Sequence, residues 1–515
     1  MIILKHHNNK VTEVLDEASK TIVFDDAKSI PYILYDLATT YPDQLLIWCN
    51  ESYFEGLNKK KLDEIFHNKN VMASYSVEDV AYLTDKIGYV DQSIYIKVNK
   101  EVTYPTWLTS SDVGGVFATT LTSILGDFNR NNDFDYFLNA IAKTAMSQGL
   151  FCYSDPRLLV KELKPIHKNR VSTFKLFQFV KQHYKTGWVF FLFFCFMKYE
   201  KTFPILALLN ALRYKRVKRN LDFSRTEISS TKQLVKTKTV DVIIPTIGRK
   251  KYLYDVLKDL SAQTLLPINV IIVEQNPDED SQSQLEYLQT QQWPFNVIHK
   301  FIHQTGACNA RNIALSLVKS EWVFFGDDDI RFNNTLIEDA LHRVSTYGVK
   351  AINTVCLQPK EQQSYFKTAQ TPIFGAGTSF VRSDILQKIK FDLRFEHGYG
   401  EDSDFGMQIR NLGEDVVFIS DLHITHLKAP VGGYRTKHKQ LWDNDEVSPK
   451  PSPTIILYHQ RYFTNEQLRA YKLILFFKYY KRQSIKNPFK YYSKMKDSWN
   501  ISLKWSHYLQ EVSYD

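Results

Sequence analysis

EWVFFGDDDI, residues 321–330, is the most informative stretch of this 515-residue chain. WVFFG reads as a short buried strand, and Asp327, Asp328 and Asp329 follow at its C-terminal end. In an open α/β sheet, that end of a strand is where ligands bind. Adjacent carboxylates repel one another, so the cluster is costly unless a cation is near. Side chains at i and i+2 of an extended segment share a side. Asp327 and Asp329 can therefore reach one ligand set, while Asp328 faces elsewhere. Hard oxygen donors favour Mg²⁺ or Mn²⁺, ions that commonly bridge phosphates.

The segments on either side repeat the pattern of apolar strand followed by polar exit. VDVIIPTIGRKKYL (240–253) sets Pro245, Thr246 and Arg249 between a strand and a helix. Backbone amides and a guanidinium there suit a diphosphate. PINVIIVEQNPDED (267–280) ends its strand in Glu274, Gln275 and Asn276, acceptors for a base or ribose. TGACNARNIALSLVKS (305–320) starts a helix after Gly306 and carries Arg311. In FEHGYGEDSDFGMQIRNLGEDVVFISDLHITH (395–426), Glu401 and Asp402 open a helix behind a glycine-rich turn. Carboxylates in a first turn are ordinary partners of the helix dipole. Facing a cation-bound diphosphate, such a carboxylate is also placed to act as a general base. The next strand delivers His423 and His426, and an oxygen-ligated metal accepts an imidazole as a further ligand. LKAPVGGYRTKHK (427–439) reads as a loop able to close over the site.

Taken in order, PTIGR, GACNARN, FFGDDD, GAGTSF, GEDSDF and ITH make residues 240–430 resemble a family 2 glycosyltransferase with the GT-A fold. The resemblance implies an α/β nucleotide-diphospho-sugar transferase domain and a Mn²⁺ or Mg²⁺ cofactor. It implies that Asp327 contacts the nucleotide ribose, that Asp329 and His426 hold the metal, and that Asp402 is the catalytic base with Glu401 toward the acceptor. Pro245, Thr246, Arg249, Glu274, Arg311, Asp328 and Gly377 would complete the nucleotide-sugar site. Glu274 departs from the family pattern, which places Asp after the second strand. The reaction implied is an inverting transfer from a nucleotide-sugar donor to a hydroxyl of a saccharide or lipid-linked saccharide, in polysaccharide or glycan synthesis.

The rest of the chain divides by composition. Residues 1–160 alternate apolar runs with helical stretches, which again reads as α/β. Three segments there have counterparts downstream: 30–55 with 250–279, 113–125 with 374–386, and 134–158 with 401–424. The N-terminal zone is therefore expected to be a degenerate, non-catalytic GT-A-like domain. This copy lacks the acidic triplet: the corresponding strand, SIYIKVNKEV (93–102), ends in Lys97, Val98 and Asn99. Residues 161–235 read as a basic helical connector, 236–450 as the catalytic domain, and 451–515 as a basic, aromatic, helical tail.

A net charge of +9 suits an anionic partner, but no nucleic-acid motif is present. Basic aromatic helices suit an anionic membrane surface. The longest apolar run, 188–197, is too short to span a bilayer, and MIILKHHNNK does not read as a signal peptide. A cytoplasmic protein, peripheral on the inner face of the membrane, is the expectation. The five scattered cysteines are expected to be buried free thiols. The rival readings are a metal-dependent nucleotidyltransferase, which would want a longer basic glycine-rich loop than GRKK, and a carbohydrate-binding scaffold without activity.

Overall fold

The computed structural model describes residues 1–125, 133–160, 163–165, 170–223, 226–430 and 438–512. They form two compact units, Met1–Lys232 with Phe463–Leu475 and Gln233–Tyr462 with Phe476–Asp515. The first is built on a seven-stranded sheet in the order β2-β1-β3-β6-β4-β7-β5. Its strands are β1 Ile2–His7, β2 Lys10–Leu15, β3 Leu45–Asn50, β4 Val71–Tyr75, β5 Tyr104–Pro105, β6 Val113–Phe117 and β7 Phe151–Ser154. The second unit has nine strands: β8 Val240–Thr246, β9 Asn269–Gln275, β10 Asn296–Ile302, β11 Trp322–Gly326, β12 Ile330–Phe332, β13 Ala351–Leu357, β14 Ala369–Gln370, β15 Thr378–Arg382 and β16 Val416–His426. Eight of them run in the order β10-β9-β8-β11-β15-β13-β16-β12, and β14 pairs with β16. The α/β class, the two sheets and the helical C-terminal region are as the sequence predicts.

The second sheet is parallel through β10, β9, β8 and β11, then antiparallel at β15. Of these, β10 at the edge is partly exposed, whereas β8, β9 and β11 are covered on both faces, which is why VIIV and WVFF are unbroken apolar runs. Asp241 is the exception. It is fully buried in β8, and its carboxylate accepts from the Asn269 side chain, the Lys319 and Ser320 amides and the Ser320 hydroxyl at 2.6–3.0 Å. It thereby ties the entrance of β11 to the start of β9. On one face of the sheet, Val323 and Phe325 pack with Ala310 and Ala314 of the helix Ala307–Leu315 and with Phe405 and Ile409 of the helix Glu401–Asn411. Phe405 stacks on Phe391 with ring centres 4.2 Å apart. This packing brings the start of the Glu401–Asn411 helix to the end of β11.

The two sheets share a strand grammar. In the second, β8 is parallel to β11, β11 antiparallel to β15, β15 antiparallel to β13, and β13 parallel to β16. In the first, β1 is parallel to β3, β3 antiparallel to β6, β6 antiparallel to β4, and β4 parallel to β7. This succession agrees with the pairing of 113–125 with 374–386 and of 134–158 with 401–424. It corrects the third pairing. β3 occupies the place of β11, not of β9. Leu45 pairs with Phe117 as Trp322 pairs with Arg382, so Asn50, Glu51 and Ser52 stand where Asp327, Asp328 and Asp329 stand in the second unit. SIYIKVNKEV forms no strand. Its apolar residues Ile94 and Tyr95 are buried in a turn, held by Tyr104 and Thr106 side chains that donate to their carbonyls. Burial without a partner strand gave it a strand-like pattern.

The basic segment after residue 160 contributes the helices Thr173–His183, Gly187–Cys195 and Ile205–Leu212, which group with the first unit. Of the five cysteines, Cys356 is exposed, contrary to expectation, and the other four are buried; all five are free. Among the described residues, no helix is long and apolar enough to cross a membrane.

Replacing Asp241 by Ala leaves several buried donors without an acceptor. It should lower the stability of the second unit by about 3 kcal/mol or more, read as a shifted urea midpoint. A shift worth under about 1 kcal/mol would contradict its role as the tie between β8, β9 and β11.

Candidate functional site

Alternation along β11 decides where its aspartates go. Phe325 faces the helix Ala307–Leu315, and Asp327, two residues on, lies on the same side. There Arg311 Nη2 is 3.4 Å from Asp327 Oδ1. The guanidinium is buried, sits 5.5 Å over the Phe391 ring, and has an Nε with no partner. Asp328 turns the other way. Its carboxylate accepts from Thr246 Oγ1 and from Arg249 Nη1, both at 2.6 Å. Burial pushes the Asp328 carboxyl up to about 6, against the pull of Arg249 and Thr246.

Asp329 is also buried. Its Oδ2 accepts from the Ala429 amide at 2.8 Å and lies 3.2 Å from Arg249 Nη1. Its Oδ1 lies 3.1 Å from His426 Nε2, near enough for an ion pair but poorly aligned for a hydrogen bond. Contact with Asp329 and Cys356 raises His426 to about 10, so it is a cation here. Asp327, Asp329 and His426 each offer a donor atom within 4.8 Å of the others. Two carboxylates, one with a sealed oxygen outside any hydrogen bond, and an imidazole that would give up its proton on ligation fit a Mn²⁺ or Mg²⁺ ion. The structure thus brings Asp327 into the cluster with the expected pair, Asp329 and His426. His423, on the same strand, points away and bonds Gln363 at 2.9 Å.

Asp402 is the second residue of its helix, behind Gly400, whose φ of +105° suits glycine. Its Oδ2 accepts a long bond of 3.4 Å from the Ala376 amide, and its Oδ1 is sealed from solvent with no partner. Burial pushes this carboxyl up to about 7; Arg311 opposes the shift, and Glu401 and Asp327 add to it. Glu401, half-buried beside it, is one source of that negative field. An added Cβ at Gly377 would stand 2.3 Å from Asp327 Oδ2, so any larger residue there would displace that carboxylate.

Other expected residues have different partners. Glu274 is occupied by its own neighbours: Ser283 Oγ at 2.6 Å, His299 Nε2 at 2.9 Å and the Gln284 amide at 3.2 Å. Burial disfavours its charge, but these contacts outweigh it and hold the carboxyl below the ordinary range. Arg249, expected against a diphosphate, is turned into Asp328 and Asp329. Pro245 and Thr246 close β8 beside this pair. Most of the expected closing loop falls outside the described residues, but its start is pinned, since the Leu427 and Ala429 amides both donate to Asp329.

Glu396 and Asp404 went unread in the sequence, and Gln275, expected to face a base or ribose, has a backbone partner instead. Gln275 Oε1 accepts from the Gly306 amide at 2.6 Å, and Glu396 accepts from the Cys308 and Asn309 amides, capping the Arg311 helix. Asp404, fully buried, accepts from Tyr462 OH at 2.8 Å and Arg461 Nη1 at 3.1 Å, fastening the helix Glu401–Asn411 to the helix Pro453–Tyr462. The repeat carries a further signal. In the first unit, Asp135 is likewise second in its helix and accepts from Ser111 N at 2.8 Å and Ser111 Oγ at 2.9 Å. Ser111 precedes the β6 partner of Cys49 as Ala376 precedes the β15 partner of Gly326. The serine hydroxyl occupies the second oxygen of Asp135. Alanine leaves the second oxygen of Asp402 open.

Residues 241–412 match the family model described as Glycosyl transferase family 2. The second unit carries a family 2 glycosyltransferase domain. No curated protein matches the chain. Among solved structures, S. aureus TarS is 22% identical with a TM-score of 0.31, over 37% of this chain and 37% of TarS. Its fragment 1–349 is 18% identical with a TM-score of 0.35, over 54% of this chain and 93% of that one. The same fragment in complex with UDP-GlcNAc is 17% identical with a TM-score of 0.34, over 52% and 74%. The chain thus spans little more than a third of the first of these TarS chains.

Two outcomes test the geometry. Mn²⁺ titrated into the protein should bind with an affinity reduced about tenfold or more by His426→Ala or Asp329→Asn, measured calorimetrically. Equal affinity in both variants would remove the assignment. Ala376→Ser should tie up Asp402 as Ser111 ties up Asp135, lowering turnover about tenfold or more at unchanged donor affinity.

Proposed function

We propose that the second unit transfers a sugar from a nucleoside-diphosphate donor to a hydroxyl of a saccharide or lipid-linked saccharide, with inversion, in polysaccharide or glycan synthesis. The observation that carries this reading is Asp402, a sealed carboxylate with one oxygen open, set beside the Asp327–Asp329–His426 cluster. Asp402 accepts the proton of the acceptor hydroxyl as that oxygen attacks the anomeric carbon, and Glu401 orients the acceptor. Asp327 holds the donor ribose, with Gly377 giving it room. Pro245, Thr246, Glu274 and Asp328 shape the nucleotide pocket. Arg249 and Arg311 stand ready to exchange a carboxylate for phosphate oxygens as the donor enters. A Mn²⁺ or Mg²⁺ ion on Asp329 and His426 would act as a Lewis acid on the departing diphosphate.

The first unit is, on this reading, a diverged copy without chemistry. Asn50, Glu51 and Ser52 replace the three aspartates, and Ser111 occupies the carboxylate that matches the base. One carboxylate among those three is a poor ligand set for a catalytic divalent ion.

A panel of nucleotide sugars with Mn²⁺, scored for nucleotide release, tests the assignment. Release from at least one donor, abolished by chelation, is expected; release of pyrophosphate from a nucleoside triphosphate would favour a nucleotidyltransferase instead. Asp402→Asn should lower turnover about 10²- to 10⁴-fold while donor binding changes little. Because the working form of Asp402 is the anion and burial raises its pKa to about 7, activity should fall as pH drops through that region. A nearby cation moves this limb downward. A limb that persists in Asp402→Asn would sink the base assignment.

A further inference from the structure

The first unit carries a surface that sugar transfer does not use. In the helix Gly187–Cys195, Phe190 and Phe194 lie four residues apart and both are exposed. In the helix Ile205–Leu212, Leu206, Leu209 and Leu212 recur every third residue, and Leu206 and Leu209 are 67% and 53% exposed. Phe203, 66% exposed, joins the two helices through an edge contact with Phe193, ring centres 5.1 Å apart. Each helix also has a buried side, formed by Val189, Leu192 and Cys195 on one and Ala207, Leu208 and Ala211 on the other. The exposed side chains are therefore a second apolar face, beyond what the unit's core needs. Contiguous exposed apolar surface of this kind marks an interaction site.

Charge selects the occupant. Residues 185–219 hold eight Lys and Arg and a single acid, Glu200. Glu200 is engaged by Lys86 at 2.9 Å and Tyr89 at 2.8 Å. Lys185, Lys201, Arg213, Lys215, Arg216 and Lys218 are exposed. We infer that this face docks on a bilayer surface rich in anionic phospholipid, with the phenylalanines and leucines entering the headgroup–acyl boundary and the cations meeting lipid phosphates. Helices of nine and eight residues are roughly 12–14 Å long, far short of the hydrocarbon core, so they lie along the interface. Apolar contact and anionic attraction together give such surfaces their membrane affinity. A second copy of the chain is a poorer occupant, since a two-fold contact would press the same cationic rims together.

The inference does not rest on the transferase reading, and its test needs no donor. The full-length protein is sedimented with vesicles of phosphatidylcholine alone or of equal parts phosphatidylcholine and phosphatidylglycerol. Binding to the mixed vesicles, much weaker with phosphatidylcholine alone, is expected. Leu206→Ser with Leu209→Ser should weaken it about tenfold or more. Lys215→Gln, Arg216→Gln and Lys218→Gln together should remove the preference for the anionic lipid. All of these residues are exposed, so an unchanged thermal midpoint keeps loss of binding separate from loss of fold. Wild-type protein left in the supernatant with mixed vesicles would overturn the inference, as would leucine variants that bind as wild type does. A dimer that the leucine variants dissociate, with vesicle binding unaltered, would assign the face to a second copy.

Discussion

Three carboxylates in a row at the end of a buried strand would repel one another, and the second unit is arranged around that repulsion. Each aspartate has its own cation: Arg311 for Asp327, Arg249 for Asp328 and His426 for Asp329. These cations arrive from three directions, a helix after β10, the turn after β8 and the end of β16. The fold must hold all three in register for three adjacent carboxylates to be tolerated in one place. A buried charge with a partner is tolerated where a lone one is not.

Asp402 depends on the same balance from the other side. Its carboxyl is close to neutrality because burial, Glu401 and Asp327 disfavour its charge while Arg311 favours it. Arg311 is thus shared between the aspartate cluster and Asp402.

The parts legible in the sequence were those whose chemistry is local. WVFFG followed by three aspartates states a strand, an exit and a charge cluster within ten residues, and GYGEDSDF states a hinge and a helix start. Asp404 carried no signal of its own beside Glu401 and Asp402, because its partners Arg461 and Tyr462 are more than fifty residues away. Glu396 caps a helix 88 residues upstream of it, and no pattern in the chain announces such a contact. The repeat was legible as a repeat, yet its register was misread: buried turn residues in SIYIKV mimicked a strand, and only the hydrogen-bonded ladder shows that β3 stands in for β11. The absence of the acidic triplet survives this correction with different residues.

The Asp404 contacts also bear on where the working unit ends. The segment that matches the family model stops at residue 412, yet the helix it ends on is held by Arg461 and Tyr462. A protein trimmed at the matched boundary would lose β16 and His426 with it, and would also expose Asp404, strip it of its counter-charge and free the helix that aims Asp402. The smallest portable module is set by that latch, some fifty residues beyond the point where family resemblance ends.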